Sequence, residues 1–108
     1  MGYVAKHRHA PIKTYTARLL VDLIRGRSLN EALTILRYRP QRAARMIEKV
    51  VRSAQANAED RGGSGRFYVS RAWVDEGFRL KRFHPRSRGG ASPYLRRRSH
   101  IFIEIDVL

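Results

Sequence analysis

The sequence predicts an α+β fold in which helices come first and strands last. Three observations carry that expectation. Up to about residue 60, apolar side chains recur at spacings of three and four, the period of an amphipathic helix. From Phe67 the period drops to two, the period of a strand. Between two strand-like segments lies a basic stretch with Gly89-Gly90 near its middle, which reads as the far end of a hairpin. With 108 residues and 43% apolar composition, the chain has room for a single domain over 1–108 with one modest core.

The first helix is expected over 14–25, "TYTARLLVDLIR", where Ala17, Leu20, Val21 and Ile24 form one stripe. Gly26 follows as its C′ residue, where a positive φ is cheap only for glycine. "SLNE" is a capping box: Ser28 accepts from the amide of Glu31 while Glu31 reaches back. It opens a short helix over 29–37 with Leu29, Ala32, Leu33 and Leu36 on one face. Pro40 disfavours the helical state at Arg39 and suits the first turn of the next helix, placed at about 40–60. There Ala43, Met46, Ile47, Val50, Val51, Ala54 and Ala58 form the apolar side, and its several alanines permit a close approach to a sheet. "GGSG" at 62–65 ends it.

The first strand starts at Phe67, with Phe67, Val69, Arg71 and Trp73 on one face and Tyr68, Ser70, Ala72 and Val74 on the other. Trp73 is expected in the core, and Asp75-Glu76 is expected to open a turn with Gly77. The last strand is plainer: Ile101, Ile103, Ile105 and Val107 alternate with Phe102, Glu104 and Asp106, a half-buried antiparallel pattern. The simplest pairing sets Phe67–Phe83 against Tyr94–Leu108. The body then comprises about 1–77 and 100–108, and the projecting hairpin about 78–99. Two sides of eleven residues at ~3.3 Å per residue reach about 35 Å. Such a ribbon is marginal alone in water, and Pro85 and Pro93 blunt its edges.

The formal charge is +14, which points to polyanionic partners rather than to a fold. It is unevenly placed. Residues 1–21 carry Lys6, Arg8, Lys13 and Arg18 and no acid. From Asp22 to Glu76 there are eleven basic and seven acidic residues, an ordinary mixed surface. Arg79, Lys81, Arg82, Arg86, Arg88, Arg96, Arg97 and Arg98 then stand in a stretch without a single acid between Glu76 and Glu104. An arm of like charge bracketed by two well-patterned strands points to RNA. Arginine grips phosphate in a bidentate way and stacks on bases, and Phe83 and Tyr94 are interleaved for stacking.

Other classes of function fit poorly. The absence of cysteine excludes disulfides and thiolate metal sites. His7, His9, His84 and His100 all have basic neighbours, which disfavour a bound cation, so no metal or other cofactor is expected. Asp75 and Glu76 are adjacent and would point to opposite faces of a strand, unlike a catalytic carboxylate pair. No Ser/His/Asp order, Walker loop or dinucleotide fingerprint occurs, and no enzyme activity is expected. The N-terminal "MGYVAKHRHAPIK" lacks the apolar core of a secretory signal, and no apolar run nears the ~18 residues of a membrane span. A cytoplasmic setting, no membrane and no second copy of the chain are expected.

"AKHRHAPIK", "ARLLVDLIRGRSLNEALTIL", "AARMIEKVVRSAQANAE", "VDEGFRLKRFHPRSRGGA" and "RRRSHIFI" resemble, in order and spacing, the large-subunit ribosomal protein L twenty-two family of bacterial type. The resemblance spans roughly 5–105. Its most specific pieces are Ile24-Arg25-Gly26, Ala56-Asn57-Ala58, Asp75-Glu76-Gly77, Lys81-Arg82, Pro85-Arg86-x-Arg88-Gly89-x-Ala91 and Ser99-His100-Ile101. It implies three helices packed on a small antiparallel sheet with a long projecting β-hairpin. It also implies a structural role in the large ribosomal subunit, binding ribosomal RNA during assembly, with the hairpin tip lining the nascent-peptide exit tunnel near ribosomal protein L four. Neighbouring large-subunit proteins and the nascent peptide are the further partners it implies.

Carried onto this sequence, the resemblance makes Lys81, Arg82, Arg86, Arg88, Arg96, Arg97, Arg98 and His100, with Arg79, the RNA contacts of the arm. Lys6, Arg8, His9, Lys13, Arg18 and Arg25 become those of the body. Arg86, Ser87, Arg88, Gly89, Gly90 and Ala91 become the tunnel-facing tip, and Asn57 falls where the third helix meets RNA or the sheet. Ser87 and Gly90 depart from the alanine and the basic residue common there in the family. The rival reading is a free-standing basic RNA-binding module, a regulator or chaperone acting away from the ribosome.

Overall fold

The structure is a computed structural model that describes residues 2–63, 65–85 and 91–107, with side chains described outside 78–97. Its elements are β1 (Tyr3–Ala10), α1 (Thr14–Ile24), α2 (Leu29–Arg37), α3 (Arg42–Asp60), β2 (Phe67–Pro85) and β3 (Ala91–Val107). The three helices cover one face of a three-stranded antiparallel sheet of order β1-β3-β2, the expected α+β fold.

The helices form where their patterns place them. Ala17, Leu20, Val21 and Ile24 of α1 are buried, as are Leu29, Ala32 and Leu36 of α2. Gly26 has φ 79° just past the C-cap Arg25, and its amide donates to the carbonyl of Val69, 2.9 Å away. Ser28 Oγ accepts from the amide of Glu31 at 3.3 Å, so half of the capping box forms; the Glu31 carboxylate lies 3.9 Å from Arg27 instead. α3 begins at Arg42 rather than at Pro40, because Gln41 is extended at its N-cap. Arg45 Nη2 donates to the carbonyls of Arg37 and Arg39 and so ties the α2–α3 connection. Ala43, Ala44, Ile47, Val50, Val51, Ala54 and Ala58 of α3 are all buried.

The sheet departs from expectation in three places. The N-terminal segment is a strand, β1, pairing Tyr3 with Ile105 through Ala10 with Ser99, where the sequence pattern predicts none. Its pattern is weak because only Ala5 and Ala10 of its eight residues are buried. Second, a β-bulge at Ser70-Arg71 shifts the phase of β2, since Val69 faces Ile105 and Arg71 faces Glu104. Phe67, Val69, Ala72 and Val74 therefore reach the core, and Trp73 lies on the opposite face, 37% exposed. The expectation of a core tryptophan is corrected by that one extra residue. Third, Asp75, Glu76 and Gly77 do not turn. β2 runs on through a second irregularity between Glu76 and Arg79, where a Cβ on Gly77 would come within 3.0 Å of the Arg98 carbonyl oxygen. Val107, at the end of the last strand's apolar row, is 47% exposed.

β1 stops pairing at Ser99, but β2 continues on β3 from Arg79–Arg97 to Pro85–Ala91. The sheet thus narrows to a two-stranded ribbon. The radius of gyration, 16.9 Å, exceeds the ~13 Å of a compact chain this long, and the longest dimension is 63 Å, so the ribbon projects.

Candidate nucleic-acid interface

The ribbon's register sets Arg79 opposite Arg97, Leu80 opposite Arg96, Lys81 opposite Leu95 and Arg82 opposite Tyr94. Like charges directly opposite destabilise a strand pair, and neither strand of the ribbon brings an acid to offset them. An external polyanion removes that repulsion. Side chains of Arg79, Lys81, Arg82, Arg96 and Arg97 lie outside the described residues, as do Arg86, Ser87, Arg88, Gly89 and Gly90 entirely. Of the expected tip, only the backbone of Ala91 is described, paired with Pro85.

At the ribbon's base, Ser99 is fully buried, and its hydroxyl donates to the carbonyl of Ile12 at 2.9 Å while lying 2.8 Å from Thr14 Oγ1. That knot pins the chain between β1 and α1 to the root of the arm. Beside it, His100 Nδ1 accepts from the amide of His9 at 3.1 Å, and the two rings meet edge to face at 4.8 Å. His9 has φ 57°, a left-handed conformation that histidine tolerates better than most residues, and it sits in the irregularity between His7 and Ala10. Sequence reading named both histidines, and the structure brings them together as one contact. Arg98 is half-buried at the same end.

The body's basic residues divide by role. Lys6 and Arg8 are exposed on β1, and Lys13 is exposed at the N-cap of α1, where no side chain caps. Arg18 and Arg25 are partly spent on the fold. Arg18 Nε donates to the carbonyl of Val74 at 3.1 Å; Arg25 Nε and Nη2 both donate to the carbonyl of Ala72, at 3.1 and 2.6 Å. Arg25 Nη1 also holds Asp22 at 2.7 Å. With Gly26 and Arg27 paired to Val69, these bonds cover the outer edge of β2, which would otherwise invite strand addition. Asn57 does the same for β1, donating from Nδ2 to the carbonyl of Val4 at 3.1 Å. Of the two sites open to Asn57, the sheet is the one it occupies.

Sequence reading missed one exposed feature of this surface. On the helix-free face of the sheet, Lys6, Phe102 and Trp73 form one cross-strand row. The Trp73 and Phe102 rings stack at 5.1 Å and 10°, and Lys6 Nζ stands 6.0 Å from the Phe102 centroid. The signal was the doubled polar pair Ser70-Arg71, which interrupts the alternation.

Among the described residues, no group of three or more His, Asp or Glu is placed to hold a metal ion, and no helix is long and apolar enough to cross a membrane.

Comparison with known proteins bears on this geometry. The family model described as Ribosomal protein L22p/L17e matches residues 5–106. The chain is 49% identical over 106 residues to "Large ribosomal subunit protein uL22" of Lactobacillus delbrueckii subsp. bulgaricus, covering 96% of this chain and 91% of that protein. It is 50% identical over 104 residues to the protein of the same name from Lactobacillus helveticus, covering 94% and 89%. With the protein so named from Ligilactobacillus salivarius it shares 50% identity over 93 residues, covering 84% and 81%. A fold of three helices on a β1-β3-β2 sheet with a projecting basic ribbon, and a match along nearly the whole chain, lead to one conclusion: this chain belongs to the ribosomal protein L22p/L17e family.

Proposed function

We propose that the chain is a structural component of the large ribosomal subunit that binds large-subunit ribosomal RNA and performs no chemistry of its own. The observation that carries this reading is the ribbon. Two strands leave the three-stranded sheet together, with Arg79 and Arg97 opposite each other and no acid along the way. The mechanism is charge neutralisation: cations along an extended arm let RNA segments approach one another, and released counterions contribute to the binding free energy. The body, about 1–77 and 100–108, acts as the anchor. Lys6, Arg8, His9, Lys13, Arg18 and Arg25 supply its RNA contacts, while Arg79, Lys81, Arg82, Arg86, Arg88, Arg96, Arg97, Arg98 and His100 line the arm. The tip, Arg86 to Ala91, lines the peptide exit tunnel opposite ribosomal protein L four and meets the nascent peptide. The relatives' shared name, which assigns them to the large ribosomal subunit, supports the setting.

The test compares the full chain with a variant in which 82–98 is replaced by a short Gly-Ser turn. Both are expected to fold, and the variant to bind large-subunit RNA far more weakly. For the full chain, log K against log salt should slope near −6 if eight cations each contribute about −0.7. A slope near −1, or full affinity in the shortened variant, overturns the mechanism in favour of a module that binds through its body. Retention on large subunits through a high-salt wash separates a ribosomal component from a factor acting elsewhere.

A further inference from the structure

We propose that the stacked Trp73–Phe102 pair on the helix-free face of the sheet is a platform on which an unpaired RNA base stacks, with Arg71 and Arg25 holding the adjoining phosphate. The inference rests on the RNA-binding reading above and assigns it a second site, on the body rather than on the arm.

Large aromatic side chains normally go inside, and here the chain's only tryptophan is 37% exposed although core space is filled by Val69, Ala72 and Val74 of the same strand. Phe102 covers one face of the indole at 5.1 Å, nearly parallel. A rigid pre-stacked pair loses little entropy when a third ring is added. Beside Trp73 a surface hollow is lined by Arg25, Ser70, Arg71, Ala72 and Trp73. Two arginines and an aromatic side chain thus line one hollow, the combination that single-stranded nucleic acid recognises through stacking and backbone charge.

The charges are available. Arg71 is 75% exposed and faces Glu104 at 3.8 Å, a screened pair that costs little to exchange for phosphate. Arg25 uses three of its five N–H groups on Ala72 and Asp22 and keeps the rest on a side chain 46% exposed. Lys6, at the far end of the row, adds a third cation; the acids on this side are Glu104 and Asp22, each already facing an arginine, and the exposed Asp75 two residues along β2 from Trp73. A base, flat and followed by an anion, fits this arrangement; an apolar protein surface would bury the exposed arginines without partners.

Because Trp73 is the only tryptophan, its emission reports on this site alone. The full chain is titrated with protein-free large-subunit ribosomal RNA while binding is measured independently by filter retention. Quenching of Trp73 that tracks binding, with loss of access to acrylamide, is expected. Trp73→Leu, which keeps apolar bulk without a ring, should bind roughly tenfold more weakly, and Trp73→Phe should restore most of the loss. RNA that binds while Trp73 stays bright and accessible, or a Trp73→Leu variant of full affinity, overturns the platform and leaves the ribosomal reading intact. Shielding of Trp73 only when other ribosomal proteins are added overturns it in favour of a protein contact. No RNA retention at all sinks the RNA-binding reading itself.

Discussion

From Phe67 to Glu76, β2 is held on both sides: β3 pairs along one edge, and Arg18, Arg25 and the Gly26-Arg27 backbone cover the other. From Arg79 to Pro85 the same strand has β3 as its only paired neighbour among the described residues, and that neighbour brings arginines opposite arginine and leucine. The two halves of one hairpin therefore answer to different partners. In the first half Arg71 faces Glu104, and in the helices packed beside it Arg45 and Arg52 share Glu48 and Arg25 holds Asp22. In the second, the chain supplies cations alone. The difference teaches that net charge overstates the cations the body leaves free, whereas along the arm the sequence provides no acid to offset them. Arg18, Arg25 and Arg45 direct guanidinium N–H groups at backbone carbonyls, so part of the +14 is structural.

The comparison is open to direct attack. The largest effect should come from Ile103→Ala, in the three-stranded part of β3, paired with both Ala5 and Ala72 and fully buried. Losing those buried methyl groups costs about 2–5 kcal/mol, visible in denaturant unfolding, whereas the salt slope of RNA binding stays unchanged. A shift in that slope would mean that body and arm are not separable. Next is Ser99→Ala, which removes the hydroxyl joining Ile12 and Thr14 at the arm's root. A stability loss of about 1–3 kcal/mol follows from leaving buried partners unmet. If thermal melts show none, the knot is not what ties the arm to the body. Smallest in stability but opposite in sign is Arg97→Glu. Relieving the Arg79–Arg97 opposition should stabilise the free chain by about 0.2–1 kcal/mol and at the same time weaken RNA binding. Stability and affinity that fall together would show the arm to be built like the body.

Much of the fold was legible. The stripe Ala17–Leu20–Val21–Ile24, the glycine at 26 and the Ser28 cap are local signals, and α1 and α2 appear where those signals put them. So does the Ile101–Ile103–Ile105 row of β3. Strand β1 was not legible, because an edge strand with two buried alanines has almost no pattern of its own and exists through pairing with β3. The candidate site was legible as charge but not as geometry. His9 and His100 were named separately, 91 positions apart, and only the fold makes them one contact. Period-two counting puts Trp73 on the wrong face, because it cannot register a bulge before the partner strand is known.

By itself, then, the sequence determined what depends on neighbours along the chain: helix stripes, caps, the alternating last strand, and a long basic segment between two strands with no acid to answer it. Tertiary structure decided what depends on neighbours across it. It recruited the N-terminus as a third strand, turned Trp73 outward onto Phe102, assigned Arg18, Arg25 and Asn57 to the sheet's edges, and ended the three-stranded sheet at Ser99. The physical reason is that helical hydrogen bonds close within four residues, whereas a strand's bonds, register and buried face belong equally to a partner far away in sequence.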